Sequence, residues 1–102
     1  MGKTKTTPYD SAEYLETPED MAAYLEACLE IADGDAAFIA KALGNIARAK
    51  GMTQVAKVAG LGRESLYKSL SPTGNPELAT VLRVVAALGL KLHASPAAKA
   101  AN

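Results

Sequence analysis

The stretch MTQVAKVAGLGRESLYKSL, residues 52–70, constrains this chain more than any other. It divides into a short helix from Gln54 to Ala59, a turn at Gly60 and a second helix from Arg63 to Leu70. Val55, Ala56, Ala59, Leu61 and Leu66 fall where two helices meeting at a steep angle need apolar side chains. Ala56 is small enough for the second helix to approach the first. Gly60 can take the positive φ that a sharp helix-to-helix turn asks for. Gly62, Arg63, Glu64, Ser65, Tyr67 and Lys68 remain on the outward face, and they are polar groups of the kind that reach phosphates and base edges. An Ala-x-x-x-Gly-Leu string also occurs in structural helical hairpins, so the spacing alone admits both a reading surface and a scaffold.

The chain has 102 residues, enough for one small domain with one core. Half of it is apolar, with many alanines and no tryptophan, the profile of a bundle whose helices approach closely. No apolar run approaches the roughly 18 residues that span a bilayer. The N-terminus MGKTKTTPYD has no apolar stretch, so it does not read as a secretory signal. A single cysteine cannot form an internal disulfide, which fits a reducing cytoplasm.

Net charge is zero, but its distribution is not even. Residues 1–47 carry three basic side chains (Lys3, Lys5, Lys41) and nine acidic ones, for −6, whereas residues 48–102 carry eight basic and two acidic (Glu64, Glu77), for +6. A basic half holding the paired helices can attract phosphate while the acidic half faces away or meets a basic protein. Solvated helix faces would give the same asymmetry.

In chain order, residues 1–16 read as an N-terminal arm that ends either in a helical turn or in an extended piece laying Tyr9, Tyr14 or Leu15 on the body. Thr17-Pro18-Glu19-Asp20 is a helix start, with a Thr N-cap, Pro at the first helical position and two carboxylates in the first turn. Met21, Tyr24, Leu25, Cys28, Leu29 and Ala32 recur at three- and four-residue steps as one apolar face. Asp33-Gly34-Asp35 ends that helix and caps the next, from Ala36 to Lys50, whose apolar face is Phe38, Ile39, Ala42, Leu43, Ile46 and Ala47. Gly51 closes it, and Arg48 and Lys50 suit the dipole of its last turn. Thr53 is the expected cap of the third helix. SPTGNP makes the loop after the fourth. The fifth helix, Glu77 to Leu88, offers Leu78, Val81, Leu82, Val85 and Leu88 to the core, and Gly89 stops it. Leu90 to Ala94 alternates apolar and polar, which suits either a short strand paired with its copy in a dimer or an ordered tail. Residues 17–94 thus form a single helical domain, and 95–102 a flexible tail.

No catalytic constellation presents itself. His93 is the only histidine and stands too isolated for a triad or a metal site. Cys28 lies on an apolar stripe, where it serves packing. The glycines read as helix stops, and no Walker-type string occurs. The expectation is a non-enzymatic chain with no cofactor and no metal.

LGNIARAKG before the paired helices and SPTGNPELATVLRVVAALGLKL after them complete a pattern that resembles the Xre (Cro-type) repressor domain. More closely, the run ALGNIARAKGMTQVAKVAGLGRESLYKSLSPTGNPELATVLRVVAALGLKL is similar to the addiction-module antidote proteins, the HigA-like antitoxins. The resemblance extends upstream through YDSAEYLETPEDMAAYLEACLEIADGD and so covers most of the chain. It implies an all-α, five-helix, lambda-repressor-like DNA-binding domain with an N-terminal helical extension, a helix-turn-helix at 52–70 and a possible short C-terminal strand.

Within that resemblance, Arg63 and Lys68 are the candidates for guanine O6/N7 in a major groove, Arg63 the stronger because its fork is bidentate. Ser65 permits close approach. Tyr67 could contact phosphate or stack on sugar. Glu64 could accept from cytosine N4, turn away from the phosphates or pair with Arg63. Gly62 exposes backbone N–H groups at a helix start. Gln54 would contact the DNA backbone, but many Xre repressors carry their Thr-Gln pair about two residues further from the turn glycine, so the first helix of the motif looks clipped. The repressor family lays the following loop along DNA, which makes Ser71, Thr73, Gly74 and Asn75 candidate phosphate contacts.

The resemblance implies a cytoplasmic, nucleoid-associated homodimer on a palindromic operator, with recognition helices about 34 Å apart. It implies repression of its own toxin–antitoxin operon and neutralisation of a HigB/RelE-like ribonuclease toxin. The acidic segment from Asp10 to Asp35 is then a surface for a basic toxin. A helical protein-interaction module and an orphan phage-type transcriptional regulator are the alternatives.

Overall fold

Thr17 opens the helical part of the computed structural model, which describes residues 15–71 and 73–97. Five helices occupy that span: α1 (Pro18–Ala32), α2 (Ala36–Lys50), α3 (Met52–Ala59), α4 (Arg63–Ser69) and α5 (Leu78–Ala87). The fold is all-α, as the periodicities predict.

The helix ends follow from local chemistry. At α1 the Thr17 hydroxyl accepts from the Asp20 N–H at 3.1 Å, while the Asp20 carboxylate accepts from the Thr17 N–H at 3.2 Å. This reciprocal box satisfies two donors that a helix start leaves open and contributes about 1 kcal/mol. Asp33 takes the left-handed conformation at the end of α1, and Gly34 follows with φ 88. Asp35 then caps α2 by accepting from the N–H groups of Ala37 and Phe38.

The joint between α2 and α3 differs from the expectation. Thr53 does not cap α3, which starts at Met52 rather than at Gln54, with Gly51 at its N-cap. Gly51 adopts φ 116, donates its N–H to Ala47 O and accepts from Val55 N–H through its own carbonyl. One glycine therefore ends one helix and begins the next, because only a residue without Cβ turns the backbone that sharply.

Leu43, Ile46, Leu66, Leu70, Leu88, Val55, Val84 and Cys28 lie at the centre of the core. Each fully buried aliphatic side chain there contributes roughly 1.5–3 kcal/mol. Leu15, just before α1, is also buried in it, and this anchors the end of the N-terminal arm. Tyr9 and Tyr14, as well as residues 98–102 of the tail, lie outside the described residues. α1 packs on α2, and α3 touches α2, α4 and α5. Gly44 is buried on α2 because α4 ends against it, and an added Cβ would stand 2.9 Å from the Leu70 carbonyl oxygen. It is thus no helix stop but a point of close approach.

Two apolar faces are narrower than their sequence stripes. Leu29 on α1 and Leu78 and Leu82 on α5 are exposed, whereas Val84 is buried instead. Leu90 to Ala94 forms no strand. Leu90 N–H is used to close α5 on Val85 O while Gly89 N–H reaches Ala86 O, a Schellman ending. An alternating segment with no ladder partner among the described residues stays irregular. No described helix is long and apolar enough to cross a membrane.

Candidate nucleic-acid interface

The residues singled out in the sequence come together on α3, α4 and the loop that follows. α3 ends at Gly60, whose φ is 74. Leu61 N–H bonds to Ala56 O at 2.9 Å and Gly60 N–H to Lys57 O at 3.2 Å, a second Schellman ending. Leu61 is tucked against the core, and Gly62 follows in extended conformation as the N-cap of α4. Val55, Ala56, Ala59 and Leu66 are buried at the junction. The expected packing of the two helices is present.

α4 is held by very little of its own surface. Leu66 is its only buried residue, with Leu70 one turn further on directly behind it. Arg63, Glu64, Ser65, Tyr67 and Lys68 are all exposed. The helix therefore rests on one aliphatic side and shows five of the candidate side chains to solvent. Gln54 is exposed in the first turn of α3, and Thr73 and Asn75 are exposed in the loop.

Arg48, Lys50, Lys57, Arg63 and Lys68 are exposed as well, against Glu64 as the lone carboxylate between residues 48 and 70. The local potential is positive although the chain is neutral overall. Among the described residues no ion pair joins Glu64 to Arg63. The Arg63 guanidinium instead lies over the Tyr67 ring, 5.4 Å from its centroid.

The loop is built for closeness to α4. Ser71 Oγ donates to Lys68 O at 2.9 Å, so its one hydroxyl proton is already engaged within the fold. Its oxygen stands 3.4 Å from the Thr73 hydroxyl. Gly74 N–H donates to Ser71 O, and a Cβ at Gly74 would run into the carbonyl oxygens of Lys68 and Ser69. Glycine is required there by sterics, whatever else the loop does.

One contact escaped sequence reasoning. Asn45 Nδ2 donates to the Tyr24 hydroxyl at 2.9 Å, and Arg48 Nη1 donates to Asn45 Oδ1 at 3.2 Å. The chain ties α1 to α2 and ends on a cation beside the basic surface. A polar Asn within an otherwise apolar helical face was the available signal. Next to it, burial pushes the Cys28 thiol above its ordinary value, against a hydrogen bond with Tyr24 that lowers it. His93 is exposed, 3.8 Å from the Glu26 carboxylate. Among the described residues no group of three or more His, Cys, Asp or Glu side chains could hold a metal.

Against known proteins, residues 5–96 match a family model described as probable addiction module antidote protein. A Haemophilus influenzae protein described only as uncharacterized is 47% identical over 85 residues, which cover 83% of this chain and 86% of that one. No solved structure matches.

Proposed function

This chain belongs to the probable addiction module antidote family, and from that premise we propose that it is a DNA-binding antitoxin that represses its own operon. Membership of an antidote family implies a toxin as partner and a role other than catalysis. The finer reading is a homodimer on a palindromic operator in the cytoplasm, associated with the nucleoid, that neutralises a HigB/RelE-like ribonuclease.

One observation carries the DNA part. α4 is anchored by Leu66, with Leu70 buried at its C-cap, and leaves Arg63, Glu64, Ser65, Tyr67 and Lys68 exposed on a locally basic surface. A helix so poorly buried gains little by itself, because helical stability in proteins comes mostly from packing. Its exposed face is well suited to a major groove, with Arg63 the bidentate reader and Lys68 a second donor. Gln54, Gly62, Thr73 and Asn75 would meet the phosphates around it. Ser71 would do so only as an acceptor or after giving up its bond to Lys68 O.

The test is fluorescence anisotropy of the purified protein against its own upstream promoter DNA and a scrambled duplex at two salt concentrations. Tight, salt-sensitive binding to the promoter alone is expected. Weak and equal binding to both duplexes would reduce the α3–α4 pair to scaffold, and the chain would then act through protein contacts only.

A further inference from the structure

A groove of about 300 Å³ lies away from α3 and α4, between the end of α1, the start of α2 and the start of α5. Leu29, Ile39, Pro76 and Val81 form its walls, and Leu43 its floor. Leu29 is 45% exposed, and Leu78, one turn before Val81, is 69% exposed, so the apolar surface continues past the groove. Among the described residues that line it, Asp35 is the only charged one. Asp33 and Glu77 are exposed at its borders, adjacent in the chain to Ala32, Gly34 and Pro76.

Among the described residues no cation lines this groove; Lys91 stands beyond Leu29, in the neighbouring hollow. The last turn of α1 holds no basic residue, so its carbonyl end adds partial negative charge. Lys41 lies on the other side of α2, against Tyr24 and Cys28. Arg83 stands two positions beyond Val81, roughly 200° around α5. The groove is apolar inside and acidic outside.

We propose that this groove is the docking site of the toxin, which inserts an apolar side chain between Leu29, Ile39, Pro76 and Val81 and sets lysines or arginines against Asp33, Asp35 and Glu77. The proposal rests on the antidote reading for the existence of that partner. The charge decides among occupants. DNA would be repelled. A second copy of this chain placed here about a two-fold axis would set acidic rim against acidic rim, which complementarity disfavours. A basic partner gains from both parts of the surface.

The test titrates the full chain with the purified protein encoded beside its gene, by calorimetry, at low and high salt. Leu29→Lys should weaken binding by at least about thirtyfold, the loss expected at an interface hot spot. Asp33→Asn combined with Glu77→Gln removes two of the three acidic charges and leaves Asp35, while Asn still tolerates the left-handed backbone, and it should reduce the salt dependence. Val58→Lys, at an exposed apolar position on α3, should bind as wild type. All variants should retain promoter binding, which also reports that they fold. Wild-type affinity in both groove variants would overturn the groove and leave the antidote reading standing. Absence of binding by the wild-type chain would overturn both. A dimer of the chain that Leu29→Lys dissociates, with toxin binding unchanged, would assign the groove to a second copy and overturn the proposal.

Discussion

Arg63 and Tyr67 form a stacked pair on the exposed face of α4, the guanidinium 5.4 Å from the ring centroid. They are four residues apart, the spacing at which helical side chains meet. At an exposed site such a contact is worth about 0.5–1 kcal/mol. Its use is to hold a long cation in one direction before any ligand arrives, so that less side-chain freedom is lost on binding.

Arg63→Ala should lower promoter affinity and relax base preference at one operator position by about 1–3 kcal/mol. Tyr67→Leu should weaken binding less, and the double variant should show a coupling of about 0.5–1 kcal/mol between them. Anisotropy with a set of single-base operator variants measures both. A preference that survives Arg63→Ala would move that residue from base readout to phosphate.

Lys68→Ala should weaken binding to all sequences alike and reduce the slope of log K against log salt by about 1 if its role is phosphate neutralisation. If it reads a base instead, the loss will concentrate on one operator position.

Gly44→Ala should destabilise the fold, even though alanine is worth about 1 kcal/mol more than glycine inside a helix. The new methyl would stand 2.9 Å from Leu70 O, a backbone atom that cannot swing aside. Overpacking of this kind costs about 1–3 kcal/mol, so the net effect is a loss of up to about 2 kcal/mol by urea unfolding. A gain in stability would show that the end of α4 yields freely.

Stability should fall at alkaline pH partly through Cys28. Its folded-state value is raised above the ordinary 9.0, chiefly by burial. A raised group gives stability that is complete below its unfolded value and lost as pH rises through the folded one. The wild type should therefore lose stability above about pH 9 more steeply than Cys28→Ala, which cancels the titration of the tyrosines and lysines common to both. Parallel curves would remove Cys28 from the balance.

What the sequence determined by itself is local. The start of α1 at Thr17-Pro18, the Asp33-Gly34-Asp35 corner, the full extent of α2 and the Gly60 turn were legible because caps and periodicity act within about four residues. The outward position of Arg63, Ser65, Tyr67 and Lys68 followed from the same periodicity once Leu66 was seen as the anchor. The tertiary structure decided what depends on residues far apart in the chain. Gly44 is glycine for the sake of Leu70, and Asn45 is polar for the sake of Tyr24. Gly51 joins two helices without a separate cap, because α3 must turn at once to meet α5. Leu29, Leu78 and Leu82 read as core from their spacing, yet spacing says which side of a helix is apolar and not how much of that side a neighbour covers. The part left uncovered on α1 and α5 is where the acidic-rimmed groove opens.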